Sequence, residues 1–437
     1  MSRAASRCVI LGAGVTGIAA ARTSGGVVYE AAHHPGGLCS TYSLSPGSSE
    51  RQHGVAKEDA YRFEPGGGHW IFGGAPEVLA LIGALTPVER RERRSAVYFP
   101  EQGLYVPYPL QDHLDHLPES LAARVRSEQG GEAGEAETLT QWLTQRFGDT
   151  LCQLFFHPFH QLYTAGLCDR IAPQEAGKSL APRAAAIAGA APATASRGYN
   201  ASFVVPAEGL DSLVRRLAAR TRIEYAKRAM RIDPGARQIE FSDGTFVGYD
   251  RLISTLPLDQ TLAMAGLRVD VPPDPHTSVL VLNIGARRGP ACPEQHWIYV
   301  PGSRSGFHRI GFYDNVDVSF LPAAYRSERS RVALYVERAF AGGARPDDSE
   351  VRRYAASVVD ELASWGFIGL PEVVDASWVE TAYTWSWPGS DWRALALRRL
   401  EAHGVEPVGR YARWHFQGIA DSIRDGLRAG SLLREPG

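Results

Sequence analysis

One stretch restricts the fold more than any other: RCVILGAGVTGIAAAR, residues 7–22, followed closely by GVVYEA at 26–31. A short continuous apolar run ending in glycines reads as a buried strand, the segment after it as a helix, and the second apolar run as another strand. Gly12-Ala13-Gly14-Val15-Thr16-Gly17 therefore sits between strand and helix of a β-α-β unit. At such a junction Gly12 permits the tight turn and Gly14 lets the backbone approach a pyrophosphate. Gly17 lets helix and strand pack closely, with the helix N-terminus facing the anion. Glu30 ends the second strand, where a carboxylate accepts hydrogen bonds from ribose hydroxyls. The expected class is α/β with a Rossmann-like dinucleotide site. The plainer reading of the same spacing is a glycine-rich turn in an ordinary α/β domain. Only 12 residues separate Gly17 from Glu30, so the helix is short and TSGG ends it early.

Length and charge narrow what surrounds this unit. A chain of 437 residues suggests two domains or one large composite. With 46 Lys+Arg against 48 Asp+Glu there is no broad basic footprint for nucleic acid. No apolar run reaches the roughly 20 residues of a membrane helix. The five cysteines are scattered without CxxC spacing, which argues against a disulfide framework and against a metal site. The glycine-broken first apolar run is not a signal peptide, and the expected location is cytoplasmic.

Along the chain, residues 111–178 turn helical, and SLAPRAAAIAGAAPATASR at 179–197 reads as a passive connector or a lid. The apolar run ending RLISTLPL looks like another core strand of the nucleotide domain, and TSVLVLNIGA, HWIYVPG, FHRIGFYDN and RVALYVERAF form a second β-rich region. The expected division is a discontinuous dinucleotide domain of residues 1–95, 205–260 and 395–437, with a substrate domain of 96–204 and 261–394. No internal repeat is visible.

Two further glycine clusters stand out. Gly36-Gly37 follows the acidic strand end in HHPGGLCSTY, and EPGGGHWIFGG at 64–74 joins three consecutive glycines to His69. With the first of these the chain resembles the flavin amine oxidase superfamily, whose members pair GxGxxG with a Pro-Gly-Gly beside the FAD pyrophosphate and ribityl chain. GGHWIFG, GYNASFVVPAEGL, HWIYVPG, FHRIGFYDN and GRYARWHFQGIADSI, in that order, are similar to UDP-galactopyranose mutase and protoporphyrinogen-oxidase-like relatives. The resemblance spans nearly the whole chain. It implies a Rossmann-like FAD-binding domain of the amine-oxidoreductase type with an interleaved mixed α+β substrate domain. It further implies that Gly67, Gly68 and His69 lie at the reactive edge of the flavin, absence of Cβ letting backbone approach the ring. A buried, hydrogen-bonded core histidine is the alternative for His69. Gly409, Arg410 and the helix carrying Ser422 would complete the cofactor site, the helix N-terminus stabilising negative charge on the reduced ring.

For the substrate, the mutase relatives imply paired arginines on a diphosphate. Arg309 stands where one is expected, with Tyr383, Tyr299 and Tyr163 in neighbouring motifs, while His157 and His160 occupy the stretch of the other. Histidine is the poorer diphosphate partner near neutral pH, so Arg170, Arg183 or Arg197 compensates, or the substrate differs. Trp378, Trp385, Trp387 and Trp392 stack on a ligand or pack a sheet edge. Two activities follow from the resemblance. One is redox-neutral ring isomerisation of a nucleotide-linked sugar through flavin N5, with an external reductant. The other is oxidation of an amine, porphyrinogen-like or desaturable small molecule, with an electron acceptor.

Overall fold

In the computed structural model, residues 7–54, 57–128, 135–173 and 201–431 are described here. In chain order, the elements that build the site begin with β1 (Cys8–Leu11), α1 (Val15–Ser24) and β2 (Val27–Tyr29). Next come β3 (Ser95–Phe99), β4 (Leu104–Pro107), α2 (Leu139–Phe147) and α3 (His157–Tyr163). After α4 (Leu210–Ala218) follow β5 (Arg222–Glu224), β6 (Arg251–Ser254), β7 (His276–Arg288), β8 (Trp297–Tyr299), β9 (Arg309–Phe312) and β10 (Arg331–Ala341). The chain closes with α5 (Asp348–Ser364), β11 (Ile368–Thr384), β12 (Val405–Pro407) and α6 (Ile419–Ser431).

The first sheet is parallel throughout, in the order β5-β2-β1-β6-β12. All four residues of β1 are buried, as befits a central parallel strand covered on both faces. On one face α1 lies against α6 at backbone contact: a Cβ on Gly426 would stand 2.2 Å from the Thr16 carbonyl oxygen, and one on Gly430 would stand 2.0 Å from Thr23 Oγ1. Small residues at four-residue spacing on α6 thus admit the helix beneath the glycine-rich turn.

The second sheet has seven strands in the order β11-β7-β10-β9-β8-β3-β4, with β8 and β3 the one parallel pair. Strand β7 is apolar on both faces, and its alternation sorts residues between two cores. Leu280, Leu282 and Ile284 face the layer that contains Tyr354, Val358 and Leu362 of α5. Val279 and Val281 face an aromatic core with Tyr61, Phe63, Trp70, Tyr313 and Tyr335.

Among the described residues, the helical stretch expected over 111–178 consists of separate short helices around Leu143, Phe147, Phe155 and Phe156. A π-helical turn at Cys152–Phe156 precedes α3, whose second residue, Pro158, has no N–H for the regular ladder. The segment 179–197 lies outside the described residues. Among the described residues, no helix is long and apolar enough to cross a membrane.

Candidate active site

At the nucleotide end, the three glycines of the first turn have three different reasons to lack a side chain. Gly12 takes φ +94°, and its Cβ would stand 2.5 Å from Thr255 Oγ1. A Cβ on Gly17 would lie 2.0 Å from the Gly12 carbonyl oxygen, so only hydrogen there lets α1 seat on the strand end. Gly14 is unlike both: its φ is an ordinary −68°, and nothing lies within 4 Å of its Cβ position. No neighbour demands a glycine at 14, and what its bare Cα keeps open is the space before the N-terminus of α1. That is the cradle an anionic dinucleotide requires.

The acidic and Gly-Gly features converge on the same turn. Glu30 accepts hydrogen bonds from the Ala13 N–H at 2.7 Å and the Ala32 N–H at 2.8 Å, which fixes its carboxylate beside the cradle. The Gly36 N–H donates to the Ala13 carbonyl at 2.7 Å, and Gly36 and Gly37 take φ of +113° and +56° as the chain crosses Gly14. Just past strand β12, Gly409 turns at φ +89° against Thr16; a Cβ there would lie 2.7 Å from Thr16 Oγ1. Ser422 is buried in the first turns of α6.

In the loop at 64–74 the glycines meet close protein neighbours. A Cβ on Gly67, at φ +78°, would come within 2.8 Å of Glu337 Oε1, and one on Gly68 within 2.7 Å of the Tyr335 ring. One on Gly66 would meet the His69 ring at 2.5 Å. The missing side chains at 67 and 68 thus make room for Glu337 and Tyr335 on β10, and that at 66 for His69 of the same loop. His69 nevertheless keeps 27% of its side chain exposed. Its Nδ1 lies 2.8 Å from the Gly67 carbonyl oxygen, which places the proton of the neutral ring on Nδ1 and leaves the Nε2 lone pair free. Desolvation lowers its pKa. The His69 N–H donates to Glu64, a fully buried carboxyl that burial pushes up to about 8.

Beyond this loop, an aromatic cluster surrounds a buried ion pair. Arg309 and Glu337 are cross-strand partners in the β9–β10 register, and Arg309 Nη2 donates to both carboxylate oxygens at 2.5 and 2.6 Å. Buried His308 stands 3.5 Å from the same carboxylate. Burial alone would raise the Glu337 pKa, but Arg309 and His308 outweigh it and hold it at about 2. Tyr163 packs on His308 and Tyr383 with ring centroids 5.3 and 4.7 Å away, and Tyr299 packs on Phe159 and Tyr108 at 5.4 and 4.6 Å. Burial raises the pKa of Tyr163, Tyr383 and Tyr335, so their hydroxyls are protonated donors at neutral pH.

Arg410 closes this cluster on the side of α6. Its guanidinium lies over Phe416 at 4.8 Å, Tyr411 at 5.5 Å and Tyr383 at 5.6 Å, and it donates to the Ala382 carbonyl at 2.9 Å. Among the described residues no ion pair ties it to a carboxylate, whereas Arg309 is tied to Glu337.

Other sequence candidates fall farther out. His157 Nε2 meets Thr144 Oγ1 at 3.1 Å on α2. His160 is buried, its Nδ1 2.7 Å from the Phe156 carbonyl oxygen, and desolvation pushes its pKa down to about 4, so it carries no charge near neutral pH. Arg170 lies over Trp387 at 5.1 Å, and Arg183 and Arg197 lie outside the described residues. Trp385 reaches Tyr163 at 5.6 Å, whereas Trp378 packs on Phe340 and Trp392 on Trp414. Sequence reasoning passed over Glu337, His308, Tyr335 and Glu64. Glu337 carried one faint signal, a lone carboxylate within the apolar run RVALYVERAF. The fold also gathers His113, Asp115 and His116, largely exposed, with ligand atoms within 4.8 Å of one another, a grouping that CxxC-type spacing does not disclose.

The model of the family of flavin containing amine oxidoreductases matches residues 26–276, more than half of the chain. The chain belongs to that family. It is a flavin-dependent enzyme, and FAD is its cofactor. Among solved structures, it is similar to reduced UDP-galactopyranose mutase, with a TM-score of 0.80 and 21% identity over 97% of this chain and 94% of that one. A putative protoporphyrinogen oxidase from Exiguobacterium sp. 255-15 matches at a TM-score of 0.65 and 15% identity over 99% of each chain. Putrescine oxidase bound to putrescine matches at 0.57 and 15% over 98% of each. At these identities the likeness establishes a shared fold.

Proposed function

We propose that this enzyme isomerises a nucleotide-linked sugar at its flavin without net redox change. The observation that carries the reading is the charge pattern around Tyr163 and Tyr383. The carboxylate of that cluster, Glu337, is consumed by Arg309 and His308, while Arg410 has no carboxylate partner among the described residues. Tyrosyl hydroxyl donors and a guanidinium suit an anionic, oxygen-rich ligand, and the Arg410 charge disfavours an ammonium group beside it. The nucleotide sugar comes from the resemblance to the mutase relatives, and the charge pattern agrees with it.

In this reading, residues 1–95, 205–260 and 395–437 hold the dinucleotide, and 96–204 and 261–394 hold the substrate. Gly12, Gly14, Gly36 and Gly37 present backbone to the pyrophosphate, and Glu30 borders the ribose. Gly67, Gly68, His69, Gly409, Arg410 and the N-terminus of α6 with Ser422 border the ring. When bound, the flavin supplies the electron pair and the electron sink that the polypeptide lacks. The protein's own part is to orient the substrate, bind its charge and exclude water. Arg410 meets the phosphates with Tyr163, Tyr299 and Tyr383 as hydroxyl donors, and the Nε2 lone pair of His69 accepts a hydrogen bond at the ring edge. An external reductant keeps the flavin reduced, and five free cysteines fit the reducing cytoplasm.

The family to which the chain belongs supports a second reading, FAD-dependent oxidation of an amine, porphyrinogen-like or desaturable small molecule with an external electron acceptor. Anaerobic incubation of the reduced and of the oxidised protein with a panel of nucleotide sugars separates the two. The first reading expects products of unchanged mass and altered ring size from the reduced protein. It also expects Arg410→Lys to weaken UDP binding about tenfold despite the retained charge, because the planar fork is lost. Absence of nucleoside diphosphate binding, or products that have lost hydrogen, would remove it.

A further inference from the structure

We propose that Glu337 sets the charge this site accepts: paired with Arg309 across β9 and β10, it withdraws that guanidinium from anion binding and leaves Arg410 to meet the substrate. This rests on the reading of an anionic substrate and names the residue that limits how much negative charge is taken.

The geometry is that of a built lock. Arg309 and Glu337 stand directly opposite in the ladder, so the sheet's own register brings them together. Both Glu337 oxygens accept from one Arg309 nitrogen at 2.5 and 2.6 Å, and only 2% of the Glu337 side chain is exposed, against 26% of Arg309. The carboxylate is roofed by the Gly66–Gly67–Gly68 loop; a methyl group at 67 would stand 2.8 Å from its Oε1, so glycine there preserves the pair. His308 closes the third side. A carboxylate so enclosed has Arg309 and His308 as its charged neighbours. Arg309 faces the cluster as one half of a neutral pair, whereas Arg410 is held by carbonyl oxygens and aromatic faces that leave its charge uncancelled.

The test is calorimetric titration of the FAD-loaded protein with inorganic pyrophosphate, UMP and UDP. Glu337→Gln keeps the shape and removes the charge, so Arg309 becomes a spare cation. Affinity for pyrophosphate and UDP should rise about tenfold or more, and that for UMP by less. The double variant Arg309→Gln/Glu337→Gln removes both charges, leaves the balance as it was, and should bind UDP within about twofold of wild type. No gain in Glu337→Gln, or a tenfold loss in the double variant, would mean that Arg309 is itself an anion clamp and would overturn the proposal. Since Glu337→Gln leaves a guanidinium without its partner and can fail to fold, the double variant, which leaves no charge unpaired, then decides. Failure of the nucleotide-sugar reading looks different: wild type binds no nucleoside diphosphate, yet Glu337→Gln acquires pyrophosphate binding.

Discussion

Adding one methyl group to the first glycine-rich turn should have opposite effects at two positions only three residues apart. At Gly14 the backbone is at φ −68° and ψ 171°, which alanine adopts freely, and no atom lies within 4 Å of the new Cβ. Alanine lowers the entropy of the unfolded chain, a gain of about 0.4–1 kcal/mol, and is the poorer helix N-cap by a similar amount. The apoprotein of Gly14→Ala should therefore be about as stable as wild type. FAD binding should suffer, because the methyl occupies the space through which backbone N–H groups reach the pyrophosphate. Losing one charge-assisted hydrogen bond costs about 1.5–3 kcal/mol, or roughly ten- to a hundredfold in affinity. At Gly17 the new Cβ would stand 2.0 Å from the Gly12 carbonyl oxygen, with backbone on both sides. Helix and strand must then part by about an ångström, an overpacking cost of about 1–3 kcal/mol or more that the apoprotein itself feels. Titration of each apoprotein with FAD, beside urea unfolding of the same apoproteins, reads the two quantities separately. Wild-type FAD affinity in Gly14→Ala would refute the assignment of that open space to the pyrophosphate, and an unaltered Gly17→Ala apoprotein would refute the packing argument.

Two buried groups make stability depend on pH in opposite directions. Folding raises the Glu64 pKa from 4.5 to about 8, so the folded state holds a proton the unfolded state has released, and stability falls as pH rises through that window. Glu64→Gln, which keeps an acceptor for the His69 N–H, should remove the slope and stabilise the protein near pH 8 by roughly 2–5 kcal/mol, as read by urea unfolding at about pH 5 and about pH 8; an unchanged slope would exclude Glu64 as its source. His160 has the reverse sign, because its pKa falls from 6.5 to about 4 and the unfolded chain takes the proton first, so stability is lost as pH drops through that range. His160→Asn should shift acid unfolding to lower pH, and the midpoint of an acid titration followed by tryptophan fluorescence checks it.

The β-α-β unit and its glycines were legible in the sequence because what they do is local. The tight turn at Gly12 and the contact of Gly17 with the Gly12 carbonyl involve residues within one turn of chain, so spacing alone carries them. The Gly-Gly at 36–37 was legible as a sharp turn after the acidic strand end, and the fold adds that its N–H donates to Ala13. Arg309 was legible as a charged group in an otherwise apolar strand, but its pairing was not. That depended on the register of β9 with β10, which places Glu337 opposite it, and a lone carboxylate in an apolar strand does not announce which residue it will face.

The triple glycine at 66–68 marks the limit most plainly. Its sequence states that something comes too close for a side chain, and for Gly67 and Gly68 the tertiary structure supplies what: Tyr335 and Glu337, residues more than two hundred positions away. The same holds for charge. The sequence determined which groups can ionise, but burial and neighbours decided which do, leaving His160 neutral, Glu64 pushed up to about 8 and Glu337 locked as a carboxylate at about 2. Backbone turns are governed by sterics between near neighbours in the chain. Electrostatic state is governed by desolvation and by charges a few ångströms away in space, and only the folded packing brings those together.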